Sequence, residues 1–271
     1  MTNVKTLAVL NALFFLLHLV PSQLTQLKLI NTQTIGDVSD NYPTLFTPAG
    51  ITFSIWGVIY LALFAFCIYH LVKAYKEPAE HEANADLQRL GYLFMANNLA
   101  TGVWTIAWVN EWLLVSVVLI LIQLITLVAM HLRLGIFDVG CSAASRWFTQ
   151  VPLSLYFGWI IIATVANISA ALVGVGWDSF NLSAGFWATF MIIAATLIVV
   201  FVVYARSNPV VGLVGVWALY GIILKHREIN VEASPQIITT TWIALVVVAL
   251  VVVVVFFRNV NSRRKGAFTT H

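Results

Sequence analysis

Charged side chains are scarce in this sequence. Asp, Glu, Lys and Arg make up 9% of 271 residues, against about 25% in soluble domains. With 61% hydrophobic residues and a mean hydropathy of +0.92, the chain lacks the polar surface of a soluble globular protein. No apolar run carries a Lys, Arg, Asp or Glu near its centre. That absence weighs against ion-coupled or proton-coupled transport and against voltage sensing. It also removes the buried lysine of a retinal Schiff base, since Lys225 falls at a helix end. Cysteine is scarce too. Cys67 lies in an apolar run and Cys141 in a polar loop, which excludes a disulfide framework. Ser-His-Asp constellations, metal-ligand spacings and paired carboxylates are missing from the apolar runs, which ranks an enzyme acting on a lipid or pigment last. His18 and His131 have no second His or carboxylate at ligand spacing. No repeat of fixed period is visible. The apolar stretch 6–20 is followed by Pro21-Ser22-Gln23, a poor cleavage site, so it reads as a first span rather than a cleaved signal.

What the sequence does contain is eight apolar runs. They fall at about 5–22, 52–73, 89–109, 112–132, 148–173, 184–205, 208–225 and 236–257. Their lengths, near 20 residues, suit membrane helices; barrel strands would be about half as long. The predicted fold is an all-α polytopic membrane bundle of eight transmembrane helices, so membrane lipids are partners and no nucleic acid is expected. Placing the N-terminus inside puts 11 of the 14 Lys and Arg residues on the cytoplasmic side and 3 outside. By the positive-inside rule both termini are cytoplasmic, in a bacterial-type plasma membrane. The eighth run, with aliphatic residues all round, is expected at the bundle periphery.

The longest outer loop, 23–51, holds Gln23, Gln26, Asn31, Gln33, Asp37, Asp40 and Asn41. Loops of this length in compact folds are usually functional or disordered. It leads into the most informative stretch, PTLFTPAGITFSIWGVIY, from Pro43 to Tyr60. Pro43 and Pro48 bar a regular helix before Ala49. Phe53, Trp56 and Tyr60 then recur at helical spacing on one face. Further stripes follow. Asn11 and His18 share a face of the first span. Asn97, Thr101, Trp104 and Trp108 share one of the third, with Asn98 beside them, and Gln123 stands at mid-depth in the fourth. Tyr156, Trp159, Ala163 and Asn167 share one of the fifth. Amides and indoles in hydrocarbon need protein or water partners, so these faces point inward. Such residues serve equally as interhelical glue or as the lining of a pocket.

The stretch around Pro48 resembles the second-helix motif of the TspO/MBR family of tryptophan-rich sensory or translocator proteins, F-x-P-P-x-x-x-F-x-x-x-W-x-x-L-Y. Pro48, Trp56 and Tyr60 keep its spacing; Phe53 is one place off register. The fifth span, LYFGWIIIATVAN, is similar to the family's P-Y-x-x-W-x-x-F-A-x-x-L-N at Tyr156, Trp159, Ala163 and Asn167, with Leu155 and Ile162 as replacements. In the third span Asn98 fits the family's Q-L-x-L-N-x-x-W, Thr101 stands where the tryptophan is expected, and Trp104 follows a turn later. The tryptophan of the family's fourth helix is missing. The resemblance covers about 1–173. It divides the chain into a five-helix domain (1–173), three additional helices (174–257) and a basic tail (258–271). It implies a pocket lined by Pro48, Trp56, Tyr60, Asn98, Trp104, Tyr156, Trp159, Ala163 and Asn167, lidded by the first outer loop. It implies a flat apolar ligand, a tetrapyrrole, a sterol-like molecule or another lipid, in a sensory, regulatory or transport role. A homodimer contact at Ala96 and Ala100 is a further implication. The alternatives are a small-solute permease or lipid flippase using all eight helices, with glycine-rich span seven as a mobile element, and a ligand-free scaffold.

Overall fold

The computed structural model describes residues 3–137, 141–177 and 179–268, with side chains as far as Ser262. Helix α1 (Val4–Gln26) starts at Asn3, whose side chain accepts from the amide of Lys5. A short α2 (Ile35–Asn41) crosses one end of the bundle, the end that carries the 23–51 loop. Its Thr34 and Asp37 cap each other's amides, a capping box. Pro43 and Pro48 hold the next segment irregular up to a 3-10 turn, Gly50–Ser54, which opens α3 (Ile55–Lys76). The acidic connector 74–88 forms α4 (Glu82–Leu90), which buries Ala83, Leu87 and Leu90 against the opposite end of the bundle. Helices α5 (Leu93–Val109) and α6 (Leu113–Leu134) make a tight hairpin, turned by Asn110, Glu111 and Trp112. A single turn, α7 (Ala143–Ser145), runs through a π turn (Arg146–Gln150) into α8 (Val151–Gly174). Helix α9 (Ala184–Ala205) leads to α10 (Pro209–Ile229), started by the Asn208 cap and Pro at its first position. Helix α11 (Ser234–Phe268) is last.

All the described regular structure is helical. Seven helical stretches have the length and hydropathy of a membrane span. The remaining expected span is α5, whose 17 residues reach about 25 Å at the usual rise and sit at the short end of the transmembrane range. Twelve of those residues are buried, which makes α5 a central post between α1 and α6. Its Ala100 is buried within the chain and Ala96 is exposed. One apolar core runs from Phe15 on α1 to Val255 on α11, across the boundary drawn at 173.

Helix α11 is peripheral. Only 28% of its apolar window is buried, against 61% for α10. Val248, Val252 and Val255 pack inward, while Leu250, Val253 and Val254 face out. It is also longer than expected: its backbone continues as helix to Phe268, through most of the predicted tail. The side chains of Arg263, Arg264 and Lys265 lie outside the described residues, as do residues 269–271. In α10, Gly212 lies where a Cβ would collide with Val252 of α11. This glycine of span seven allows close packing of the two helices. Both cysteines are free.

Candidate functional site

The Pro43–Tyr60 stretch sits at the centre of an aromatic cluster. Trp56, buried on α3, stacks on Tyr60 at 5.4 Å between ring centroids, four residues on as helical spacing requires. It also meets Trp104 of α5 at 6.3 Å, and Tyr156 and Trp159 of α8 at 6.0 and 6.2 Å. Edge-to-face and offset contacts of this kind satisfy the ring quadrupoles. The three predicted stripes therefore converge on one residue.

Amides hold the cluster in register. Trp104 Nε1 donates to Asn167 Oδ1 at 2.9 Å, and Asn167 Nδ2 donates to Ser116 Oγ of α6 at 2.8 Å. Tyr156 exchanges a hydrogen bond with Thr101 and donates to Gln123 Oε1 at 3.3 Å. Asn98 Oδ1 pairs with Nδ1 of His18 at 3.0 Å and its Nδ2 donates to the carbonyl of Phe94. Trp108 Nε1 donates to the carbonyl of Ile35, tying the outer segment to α5. Most polar groups on the inward stripes of α5, α6 and α8 thus have a hydrogen-bond partner, as hydrocarbon demands, whereas the side-chain amide of Asn11 on α1 is buried with none among the described residues. The indole N–H groups of Trp56 and Trp159 are buried and have no partner among the described residues.

Two spaces border this cluster. The deeper one is about 30 Å³, lined by Pro48, Trp56, Trp104, Trp159, Ala163 and Asn167 among others. It has room for about one water. The larger is about 520 Å³ and lies on the other side of Trp56, beneath α2 and between α1 and α3. Its apolar wall is Ile35, Phe53, Trp56 and Tyr60. Its polar wall is Ser22, Gln23 and Gln26 of α1, with Thr34, Asp37 and Asp40 at α2. Of the nine residues expected around a pocket, six border the small void, and Trp56 and Tyr60 border the large cavity. Tyr156 and Asn98 border neither, being turned to Thr101, Gln123 and His18. The α1 and α2 residues of the large cavity were visible in the sequence only as the polar character of the outer loop.

The outer loop is held down at many points. Lys28 pairs with Asp37 at 3.0 Å, and Tyr42 donates to Glu111 at 2.7 Å. Helix α10 supplies four more ties. Lys225 pairs with Asp40 at 2.8 Å, and His226 Nε2 hydrogen-bonds to the carbonyl of Leu45 at 2.7 Å. Trp217 Nε1 donates to the carbonyl of Thr52 at 3.0 Å, and the amide of Ala49 donates to the carbonyl of Gly221 at 3.0 Å. The Thr34 amide and Lys28 keep the carboxyl of Asp37 below its ordinary range. Helix α10, beyond the five-helix resemblance, therefore fixes the segment that roofs the cavity.

No curated protein and no solved structure matches the chain. A family model described as TSPO-like protein matches residues 8–255, a stretch that includes α9, α10 and α11 as far as Val255 as well as the five spans of the resemblance. The chain belongs to the TSPO-like protein family.

Proposed function

We propose that this membrane protein binds an amphipathic, largely apolar ligand in the cavity between α1, α2 and α3. The observation that carries the reading is the make-up of that cavity. A stacked Trp56–Tyr60 pair forms one wall, and glutamine, serine and carboxylate groups form the other. Its volume, about 520 Å³, falls within the range of small-molecule sites. Aromatic faces supply contact area to a flat apolar body, and the polar wall fixes the orientation of its hydrophilic edge. A tetrapyrrole, a sterol-like molecule or another lipid has this character. The role is sensory, regulatory or transporting, with the basic end of the bundle in the cytoplasm. The packed Gly212 and the α10 ties to the outer loop favour a binding protein over a permease that moves α10.

The test is an equilibrium titration with a tetrapyrrole and with a sterol, followed by tryptophan fluorescence, in wild type and Trp56→Ala. Loss of a stacked aromatic wall weakens binding by about 1–3 kcal/mol. Saturable binding that Trp56→Ala leaves unchanged overturns the proposed location.

A further inference from the structure

At the basic end of the bundle a second space opens toward the lipid. It is a groove of about 430 Å³ between the Arg146–Val151 segment and the α10–α11 pair. Its walls are apolar, with Leu213, Val253, Phe256 and Phe257 all exposed on its lipid side. At its polar rim stand Arg146 and Asn259. Arg258, next to Asn259, is spent on the carbonyl of Tyr204 and the hydroxyl of Ser207. Trp147, 66% exposed, stands at the same rim, where an indole suits the headgroup level of a bilayer.

Arg146 is the informative residue. Among the described residues its Nε is buried without a partner, and its Nη2 reaches only the carbonyl and Sγ of Cys141, at 3.5 and 3.4 Å. The described acids nearby are engaged elsewhere. Asp86 takes Ser145 and Arg89, and Glu82 accepts from the amide of Ser142. Asp138 lies outside the described residues. A guanidinium keeps its charge under all ordinary conditions, and leaving it half-buried without a counter-anion is costly. An anion beside an apolar groove at the membrane boundary has an obvious chemistry: a phosphate carrying acyl chains.

We propose that this groove is a binding site for an anionic phospholipid, its headgroup on Arg146 and an acyl chain along Leu213, Val253 and Phe257. The site is separate from the cavity at the outer end and does not depend on what that cavity holds.

Native mass spectrometry of the full chain in mild detergent tests it, with phosphatidylglycerol and phosphatidylcholine of matched chains as probes and glycerol phosphate as competitor. Wild type should prefer phosphatidylglycerol by about fivefold, the factor expected for one basic residue beside a net-negative headgroup, since choline offsets the phosphate charge of phosphatidylcholine. Arg146→Gln should abolish that preference, and Arg146→Lys should keep part of it. Leu213→Trp, which fills the groove from its exposed side, should reduce retention of both lipids. Glycerol phosphate, lacking chains, should not compete. Equal binding of the two lipids by wild type overturns the proposal, as does an unchanged preference in Arg146→Gln. Competition by glycerol phosphate overturns the lipid as the source of the anion. Should Arg146→Gln fail to fold, the wild-type lipid comparison and Leu213→Trp decide the matter alone.

Discussion

Thr52, in the turn that opens α3, fills the space where a side chain at Gly221 of α10 would stand. A Cβ at residue 221 would collide with Oγ1, Cγ2 and Cβ of Thr52 together, and the neighbouring Ala49 amide is bonded to the Gly221 carbonyl. Glycine here is a requirement of close approach, since its φ is ordinary. Gly221→Ala should therefore push α10 away from the cavity roof. Overpacking of this kind costs about 1–3 kcal/mol. Thermal unfolding in detergent checks it against Gly50→Ala, where an added Cβ meets open space. A loss confined to Gly221→Ala is the expected result.

Trp159 separates packing from binding. It is 2% exposed and borders only the void of about 30 Å³. Trp159→Ala should therefore behave as a core truncation and cost about 3–5 kcal/mol of stability. Ligand affinity, measured under conditions where the variant remains folded, should change less than in Trp56→Ala. Calorimetry of unfolding and fluorescence titration on the same preparations give both numbers.

The roof of the cavity should loosen in acid. Asp37 is held below the ordinary carboxylate range by the Thr34 amide and Lys28. Such a group contributes stability that is fully present above its unfolded pKa and is lost as pH falls through the lower, folded value. Hydrogen exchange at the α2 amides should rise as pH is lowered through that window, after correction for intrinsic rates. Asp37→Asn should remove this pH dependence.

Asp86 on α4 has the opposite sign. Burial raises its pKa, although the hydroxyl of Ser145 and, more distantly, Arg89 favour the ionised form. A carboxyl with a raised folded pKa binds its proton more tightly in the native state, so stability falls as pH rises from the unfolded value to the folded one. Asp86→Asn keeps an acceptor for Ser145 and removes the buried charge. The variant should be at least as stable as wild type at neutral pH, and the difference should vanish below the ordinary carboxylate pKa. Melting temperatures across that range check it.

Much of this architecture is written in local pattern. Eight apolar runs became eight long helices because lipid leaves the backbone few alternatives. The stripes at Trp56, Tyr156 and Asn167 met because polar and aromatic faces turn away from lipid into the bundle, where Tyr156 and Asn167 find hydrogen-bond partners. That the open space would lie on the α1 side of Trp56 was not legible. Spacing puts Trp56 and Trp159 on inward faces, but only the packing distances show that their side of the cluster closes to about 30 Å³ while the α1 side stays open. The service of α10 as a clamp was equally hidden. Its glycines read as looseness in sequence, and only the position of Thr52 and Val252 turns them into contacts.

The ligand site itself is tested most directly at Gly57. This residue lines the cavity of about 520 Å³, and a Cβ added there meets nothing within 4 Å. Gly57→Leu therefore fills the cavity from its α3 wall without crowding the core. The change should hold or raise stability, by up to about 1 kcal/mol, because leucine favours helix over glycine. Thermal unfolding of wild type and Gly57→Leu in detergent, with and without a tetrapyrrole or a sterol, is the measurement. A ligand-induced rise in melting temperature in wild type that disappears in a well-folded Gly57→Leu is the predicted result. An equal rise in both proteins, or none in wild type with either probe, would contradict the account.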